Sequence, residues 1–114
     1  MDRRIRRILQ LLTERWTDSH CVHELAKQVG LGPSRLEHLF KDNAKVTIRE
    51  FVRERRLQAA ADLLLTTEER VSAICYQVGF HDVSNFNHAF KRRFGISPRQ
   101  FRARSDDEIA DPTK

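Results

Sequence analysis

Cysteine, proline and glycine are scarce in this chain of 114 residues, which contains two, three and four of them respectively. Cys21 and Cys75 lie far apart and form no Cys-x-x-Cys pattern, so the sequence predicts neither a disulfide framework nor a structural zinc site. His20 and His23 flank Cys21, but no fourth ligand lies at a supportive spacing, which favours a loop or capping role over metal binding. This cysteine usage predicts a reducing cytoplasm.

Long apolar runs and catalytic motifs are also missing. No segment approaches the ~20 apolar residues of a membrane span, and the interspersed charges behind the basic N-terminus exclude a signal-peptide core. The sequence has no Gly-rich phosphate loop, no nucleophile motif and no carboxylate pair in an apolar setting. We therefore expect no enzymatic activity, no cofactor and no membrane partner. A chain of this length also leaves no room for a separate ligand-sensing domain, so we expect no small-molecule site.

Positive charge is in excess, with a formal net charge of +5. The last ten residues hold four acidic residues and one basic residue, and without them 20 basic residues face 12 acidic ones. A surplus of this size suits a polyanionic partner such as nucleic acid. A protein lying on an acidic membrane surface is the less favoured alternative, suggested by the four arginines near the N-terminus.

The spacing of apolar residues predicts an all-α protein, because these residues recur at three and four positions rather than at two. Gly30, Gly79 and Gly95 are natural ends of helices, since glycine accepts the left-handed conformation. Asp82 is a predicted N-cap, and Thr47 with Glu50 a predicted capping box. Seven helices follow, at about residues 2–16, 22–29, 33–42, 47–65, 71–78, 83–94 and 97–104.

The fourth predicted helix has apolar residues on two opposite sides. At 100° per residue, a group near its start lies about 180° from a group near its end, so one helix serves two cores. The groups are Ile48, Phe51 and Val52, then Leu57, Ala60, Ala61 and Leu64. The sequence thus predicts an N-terminal subdomain at 1–46, a linker helix at 47–66, a C-terminal subdomain at 67–104 and a disordered acidic tail at 105–114.

The two predicted subdomains contain an internal repeat. LAKQVGL at residues 25–31 aligns with ICYQVGF at residues 74–80, an offset of 49 residues. The offset then becomes 50, so that Leu36, Phe40 and Lys41 match residues 86, 90 and 91. A short helix, a glycine turn and a second helix form the helix-turn-helix pattern, which therefore occurs twice.

The second helix of each repeat has a polar face opposite its apolar one. These faces contain residue types that read base edges: asparagine pairs with adenine, arginine with guanine, and glutamate accepts from cytosine. The serines, histidines and lysines suit phosphate or base edges. The candidate DNA-binding residues are Ser34, Arg35, Glu37, His38 and Lys41 in the first repeat, and Ser84, Asn85, Asn87, His88, Lys91 and Arg92 in the second.

The sequence resembles the DNA-binding domain of the AraC/XylS regulators over roughly residues 5–104. GFHDVSNFNHAFKRRFGISPRQFR, at residues 79–102, is similar almost letter for letter to the family signature GF-x(5)-F-x(3)-F-K-x-x-F-G-x-S-P-x-x-F/Y-R, and Arg56-Leu57 with Ala60 and Leu64 resembles the family's linker helix. The resemblance implies a bacterial transcription regulator, usually an activator. It also implies a monomer with two recognition helices in successive major grooves, and usually a sensor domain before this segment.

Two departures from the family pattern concern the first repeat. Gly32-Pro33 replaces the usual serine-type cap, and Glu37 brings negative charge close to phosphate. The first recognition helix is therefore expected either to read DNA weakly or to require cytosine. The length of the fourth helix, ~28 Å, predicts two different half-sites about one duplex turn apart. The alternative function is a protein-interaction module in which the same faces dock on RNA polymerase or another regulator.

Overall fold

Seven α-helices make up the computed structural model, which describes residues 1–18 and 22–110 and the side chains as far as Ser105. No strand occurs in these residues, so the predicted all-α fold is confirmed. The helices are α1 Arg3–Glu14, α2 Val22–Gln28, α3 Pro33–Ala44, α4 Ile48–Thr66, α5 Val71–Gln77, α6 Val83–Phe94 and α7 Pro98–Ala110.

The chain divides into two compact units, Met1–Arg55 and Arg56–Lys114. Helix α4 crosses the boundary, so its start belongs to the first unit and its longer remainder to the second. Thr47 begins this helix as predicted: its hydroxyl accepts from the Glu50 N–H at 3.1 Å and donates to the Glu50 carboxylate at 3.0 Å. The hydroxyl of Thr47 thus satisfies one of the N–H groups that have no partner inside the helix.

The core of the first unit is formed by apolar side chains from all four of its helices. Ile48 and Val52 of α4 belong to it, and Phe51 packs against it with its ring edge-on to Phe40, the centroids 6.0 Å apart. This placement confirms the predicted direction of the first apolar group of α4. The buried residues are Ile5, Ile8, Leu12, Leu25, Ala26, Leu36, Phe40, Ile48 and Val52.

Polar contacts fix the start of α1 in the first unit. The Asp2 carboxylate accepts from the Arg4 side chain and, at 2.8 Å, from the Arg4 main-chain N–H. These two hydrogen bonds lower the pKa of Asp2 to about 2. The Asp2 N–H in turn donates to the Asn43 side chain at 3.0 Å, while that side chain donates to the carbonyl of Leu39. Asn43 therefore links the end of α3 to the start of α1, a role that the sequence reasoning missed.

The core of the second unit is rich in phenylalanine. Phe90 lies at its centre, with ring centroids 4.5 Å from Phe94, 5.4 Å from Phe101 and 5.9 Å from Phe86. The second apolar group of α4 is buried as predicted, and Cys75 is a small buried residue of the same unit. Other buried residues of this unit are Leu57, Ala60, Ala61, Leu64, Ile74, Val78 and Phe86.

The guanidinium group of Arg102 in α7 forms hydrogen bonds with carbonyl groups at and just after the end of α4. It donates to the carbonyl oxygens of Leu64 at 3.1 Å, Thr67 at 3.1 Å and Glu69 at 2.7 Å. The last carbonyls of a helix have no partner within the helix and carry partial negative charge, so a cation is favourable there. Arg102 therefore holds α7 against the segment that leads from α4 to α5.

Three helix ends differ from the prediction. Helix α3 ends at Ala44 rather than near Asp42. Helix α1 stops at Glu14 rather than near Trp16, because the chain turns there and the Asp18 N–H donates to the carbonyl of Arg15 at 3.1 Å. Helix α7 continues to Ala110, where the sequence predicted an end near Arg104 and a disordered tail. No glycine or proline occurs from Arg99 to Ala110, so no residue there breaks the helix and six more residues remain helical. Residues 111–114 lie outside the described part of the chain.

Candidate nucleic-acid interface

The turn of each helix-turn-helix is built in the same way. In the first unit Gly30 has a φ of +70°, and the next residue, Leu31, donates back to the carbonyl of Ala26 at 2.9 Å. In the second unit Gly79 has a φ of +102°, and Phe80 donates to the carbonyl of Cys75 at 3.0 Å. Glycine accepts this conformation without steric cost, and the hydrogen bond satisfies a carbonyl at the end of the helix. The repeat in the sequence is therefore a repeat in structure.

The two recognition helices begin differently. Asp82 caps α6, since its carboxylate accepts from the N–H groups of Ser84 at 2.8 Å and Asn85 at 3.2 Å. Helix α3 begins with Pro33 after Gly32, and no side chain accepts from its first N–H groups. Proline suits this position because its fixed φ is helical and it has no N–H to satisfy. The departure noted in the sequence thus leaves α3 without the side-chain cap that α6 has.

All the candidate DNA-binding residues of α3 and α6 are exposed, while the helices bury the apolar residues predicted to face inward. Leu36 and Phe40 have no exposed surface in α3, and neither have Phe86 and Phe90 in α6. Each unit therefore presents one polar helical face. These faces consist of Ser34, Arg35, Glu37, His38 and Lys41, and of Ser84, Asn85, Asn87, His88, Lys91 and Arg92.

One side chain on the α3 face has a fixed orientation. His38 Nδ1 lies 3.0 Å from the carbonyl oxygen of Ser34. A carbonyl oxygen only accepts, so Nδ1–H is the donor in this contact. His88, the matching residue of α6, has no such bond in the described part of the chain. The two histidines therefore occupy equivalent positions, but within the described residues only His38 is hydrogen-bonded to its own helix.

The charge of the two faces also differs. Helix α3 carries two basic residues, Arg35 and Lys41, and two acidic residues, Glu37 and Asp42. Helix α6 has three basic residues in its last turn, Lys91 to Arg93, and no acidic residue. The guanidinium of Arg93 lies 4.8 Å from the centroid of the Phe94 ring. Helix α6 is therefore more attractive to a polyanion than helix α3.

The arginines near the end of the chain differ in their exposure to solvent. Arg92, Arg99 and Arg104 are exposed, as expected for groups that meet phosphates, whereas Arg102 is partly buried against the end of α4. The Arg102 side chain bonds carbonyl groups more than 30 residues earlier in the chain, a contact that no local pattern indicates.

The possible metal ligands of the first unit fall mostly outside the described residues. His20 and Cys21 are among residues 19–21, which the structure does not describe, and His23 is exposed. Within residues 1–18 and 22–110, no three histidine, cysteine or acidic side chains are grouped as a metal site would need. In the same residues, no helix is both long and apolar enough to cross a membrane.

Comparison with known proteins identifies the family. The profile of a family described as "Helix-turn-helix domain" matches residues 25–104. Regulatory protein SoxS of Salmonella typhimurium is 32% identical over 102 residues, which cover 85% of this chain and 94% of SoxS. The chain belongs to the AraC/XylS family. The resemblance recognised in the sequence is confirmed, and so is the expectation of a non-enzymatic protein, because members of this family are transcription regulators.

Other similar proteins differ in length or share little sequence. The arabinose operon regulatory protein of Escherichia coli is 33% identical over 112 residues, which cover 97% of this chain but 38% of that protein. The crystal structure of the DNA-binding domain of AdpA, in complex with a target DNA, superposes with a TM-score of 0.84. It is 18% identical and covers 99% of this chain and all of that domain, so it shows the same fold.

Proposed function

We propose that this chain binds double-stranded DNA at specific sequences as a bacterial transcription regulator, with α3 and α6 as recognition helices. The observation that carries the proposal is the pair of exposed polar faces at equivalent positions of two repeats. A single polar face is the ordinary state of a surface helix. Two matching faces, each on the second helix of a helix-turn-helix and each rich in base-reading residue types, are what major-groove recognition needs.

Each unit reads its own half-site in this proposal. The reading residues of α3 are Ser34, Arg35, Glu37, His38 and Lys41, and those of α6 are Ser84, Asn85, Asn87, His88, Lys91 and Arg92. Because the two faces differ in sequence, the half-sites differ as well, and one monomer needs no palindrome. Their separation by about one duplex turn, which places the helices in successive major grooves, stays a prediction. Inserting about five base pairs between them would then reduce affinity nearly to that of one half-site.

The test of DNA binding is selection of bound duplexes from a random library, followed by titration of an enriched and an unrelated duplex at several salt concentrations. An enriched motif supports sequence-specific reading. Affinity for the unrelated duplex is expected to fall steeply with salt, with a log–log slope of about −0.9 per phosphate contact, because bound phosphates release counterions. No enriched motif together with a salt slope near zero would contradict the proposal.

We further propose that the chain contacts RNA polymerase and activates transcription. This chain covers 38% of the arabinose operon regulatory protein, so activation belongs to the proposal rather than to the family assignment. The test is transcription from a promoter that carries the selected motif, with and without the protein. A rise in transcript supports activation, whereas a fall indicates repression. DNA as the partner also places the chain in the bacterial cytoplasm.

Docking of α3 and α6 on another protein is the second candidate. The electroneutral α3 helix is the feature that favours it, since a helix with equal numbers of acidic and basic residues gains little from phosphate. Titration of variants at Glu37 and His38 with DNA distinguishes the two candidates. If α3 docks on a protein, these substitutions leave the affinity for DNA unchanged. If α3 reads DNA, they change the base preference.

A further inference from the structure

We propose that Glu37 is the residue with which the first unit selects cytosine. This inference rests on the proposed DNA binding and goes beyond it, because it assigns one base to one side chain. Glu37 is the one candidate reading residue with a negative charge. It is exposed on α3 beside His38, and it forms no ion pair with the described residues, although Arg35 and Lys41 lie on the same helix.

An unpaired carboxylate on a DNA-facing surface is unfavourable unless it meets a hydrogen-bond donor. Phosphates repel it, so the favourable partner must be a base. In the major groove guanine presents two acceptors, and thymine presents an acceptor and a methyl group. In the A·T pair the adenine amino donor lies between two acceptors, its own N7 and thymine O4, which repel a carboxylate. In the G·C pair the cytosine N4 amino donor has an acceptor, guanine O6, on one side only, so cytosine is the base that a glutamate accepts best.

His38 does not occupy the Glu37 carboxylate. Its Nδ1 lies 3.0 Å from the carbonyl oxygen of Ser34, so this nitrogen bonds its own helix. The Glu37 carboxylate has no hydrogen-bond partner among the described side chains and is available to the amino group of a base. The α6 face has no carboxylate, and the residue equivalent to Glu37 is Asn87, which suits adenine. The same position of the two repeats thus selects different bases.

The experiment compares the DNA selected by the wild-type chain with the DNA selected by E37Q and D42N. Glu37→Gln keeps the size of the side chain and replaces the carboxylate by an amide. Asp42→Asn is the matched control, because Asp42 is an exposed acid of the same helix and lies outside the candidate reading residues. Both variants lose one negative charge, so any change from charge alone occurs in both. Circular dichroism of each variant verifies that the helical fold is kept.

The expected result is a cytosine in the wild-type motif whose preference is lost or changed in E37Q and kept in D42N. Replacing that cytosine is expected to weaken wild-type binding by ~5- to ~150-fold, the range for one base contact, and E37Q binding much less. An unchanged E37Q motif, or equal changes in E37Q and D42N, would overturn the assignment while the selected motif still supported DNA binding. Failure of the wild-type chain to select any motif would overturn both.

Discussion

Nε of Arg102 donates to the carbonyl oxygen of Leu64 at 3.1 Å, across 38 residues of sequence. Leu64 is a core residue near the end of α4, and the other guanidinium nitrogens bond the carbonyls of Thr67 and Glu69. An arginine in a cationic stretch of the sequence therefore stabilises the fold of the second unit.

Substituting Arg102 with methionine is expected to destabilise the chain by about 2 kcal/mol, because three main-chain carbonyls lose a charged donor. Arg102→Lys should recover only part of this loss, since an ammonium group lacks the planar fork that reaches three acceptors. Arg99→Met is the control: Arg99 is exposed on the same helix, and its replacement should change stability by less than about 0.5 kcal/mol. Urea denaturation measures all three, and equal stability of the two methionine variants would contradict the assignment.

Lys45 follows α3 with a φ of +68°, whereas Gly95 follows α6 with a φ of +86°. A left-handed backbone costs a residue with a Cβ roughly 1–2 kcal/mol, and glycine loses part of that advantage as chain entropy. Lys45→Gly is therefore expected to stabilise the first unit by about 0.5–1 kcal/mol. Gly95→Ala should destabilise the second unit by about 1 kcal/mol, although a Cβ there meets no neighbour within 4 Å. A rise in thermal stability on both substitutions would contradict this account.

In α6 the Phe90 side chain is buried and the Asn87 side chain is exposed, so their alanine variants should fail in different ways. Phe90→Ala removes a ring with no exposed surface and is expected to cost about 3–5 kcal/mol of stability. Asn87→Ala removes an exposed amide and should leave the thermal transition unchanged while it weakens binding to a selected duplex by ~5- to ~150-fold. Unfolding of the Asn87 variant alone would show that the assigned directions of the helix are wrong.

Cys75 is expected to resist alkylation in the folded chain. Burial, with a smaller contribution from the Asp82 carboxylate, raises the pKa of the Cys75 thiol, and the thiolate is the reactive form. Because the folded state holds this proton more tightly than the unfolded state, the contribution to stability is present below the ordinary thiol pKa and is lost as the pH rises above it. Mass spectrometry of iodoacetamide-treated protein should find Cys75 modified only in denaturant. Rapid modification in buffer would contradict its burial.

The elements that the sequence predicted best have strong local signals at both ends. Helix α6 has the predicted bounds because Asp82 caps its start and Gly95 accepts the left-handed conformation at its end. Helix α3 was predicted to end too early, since its left-handed terminal residue is Lys45, which has no such signature. The exposed faces follow from helical periodicity alone.

The parts that the sequence did not predict depend on contacts between distant segments. Asn43 meets Asp2 across 41 residues, and Arg102 meets Leu64 across 38. Helix propensity and residue spacing depend on neighbouring residues only, so they do not predict contacts between distant ones. From the sequence, a polar residue near a helix end is equally compatible with an exposed side chain. The hydrogen bond between His38 and the Ser34 carbonyl likewise depends on a ring orientation that helical periodicity does not predict.

The most direct test of the central claim measures the affinity of the wild-type chain for its selected duplex with each half-site scrambled in turn, at one salt concentration. Reading by both units predicts that each scramble weakens binding by several tens of fold or more, since each removes more than one base contact worth about 1–3 kcal/mol. Scrambling both should leave only the salt-dependent affinity for unrelated DNA. An affinity that is unchanged when one half-site is scrambled would contradict the claim, because only one of the two helix-turn-helix units would then read sequence.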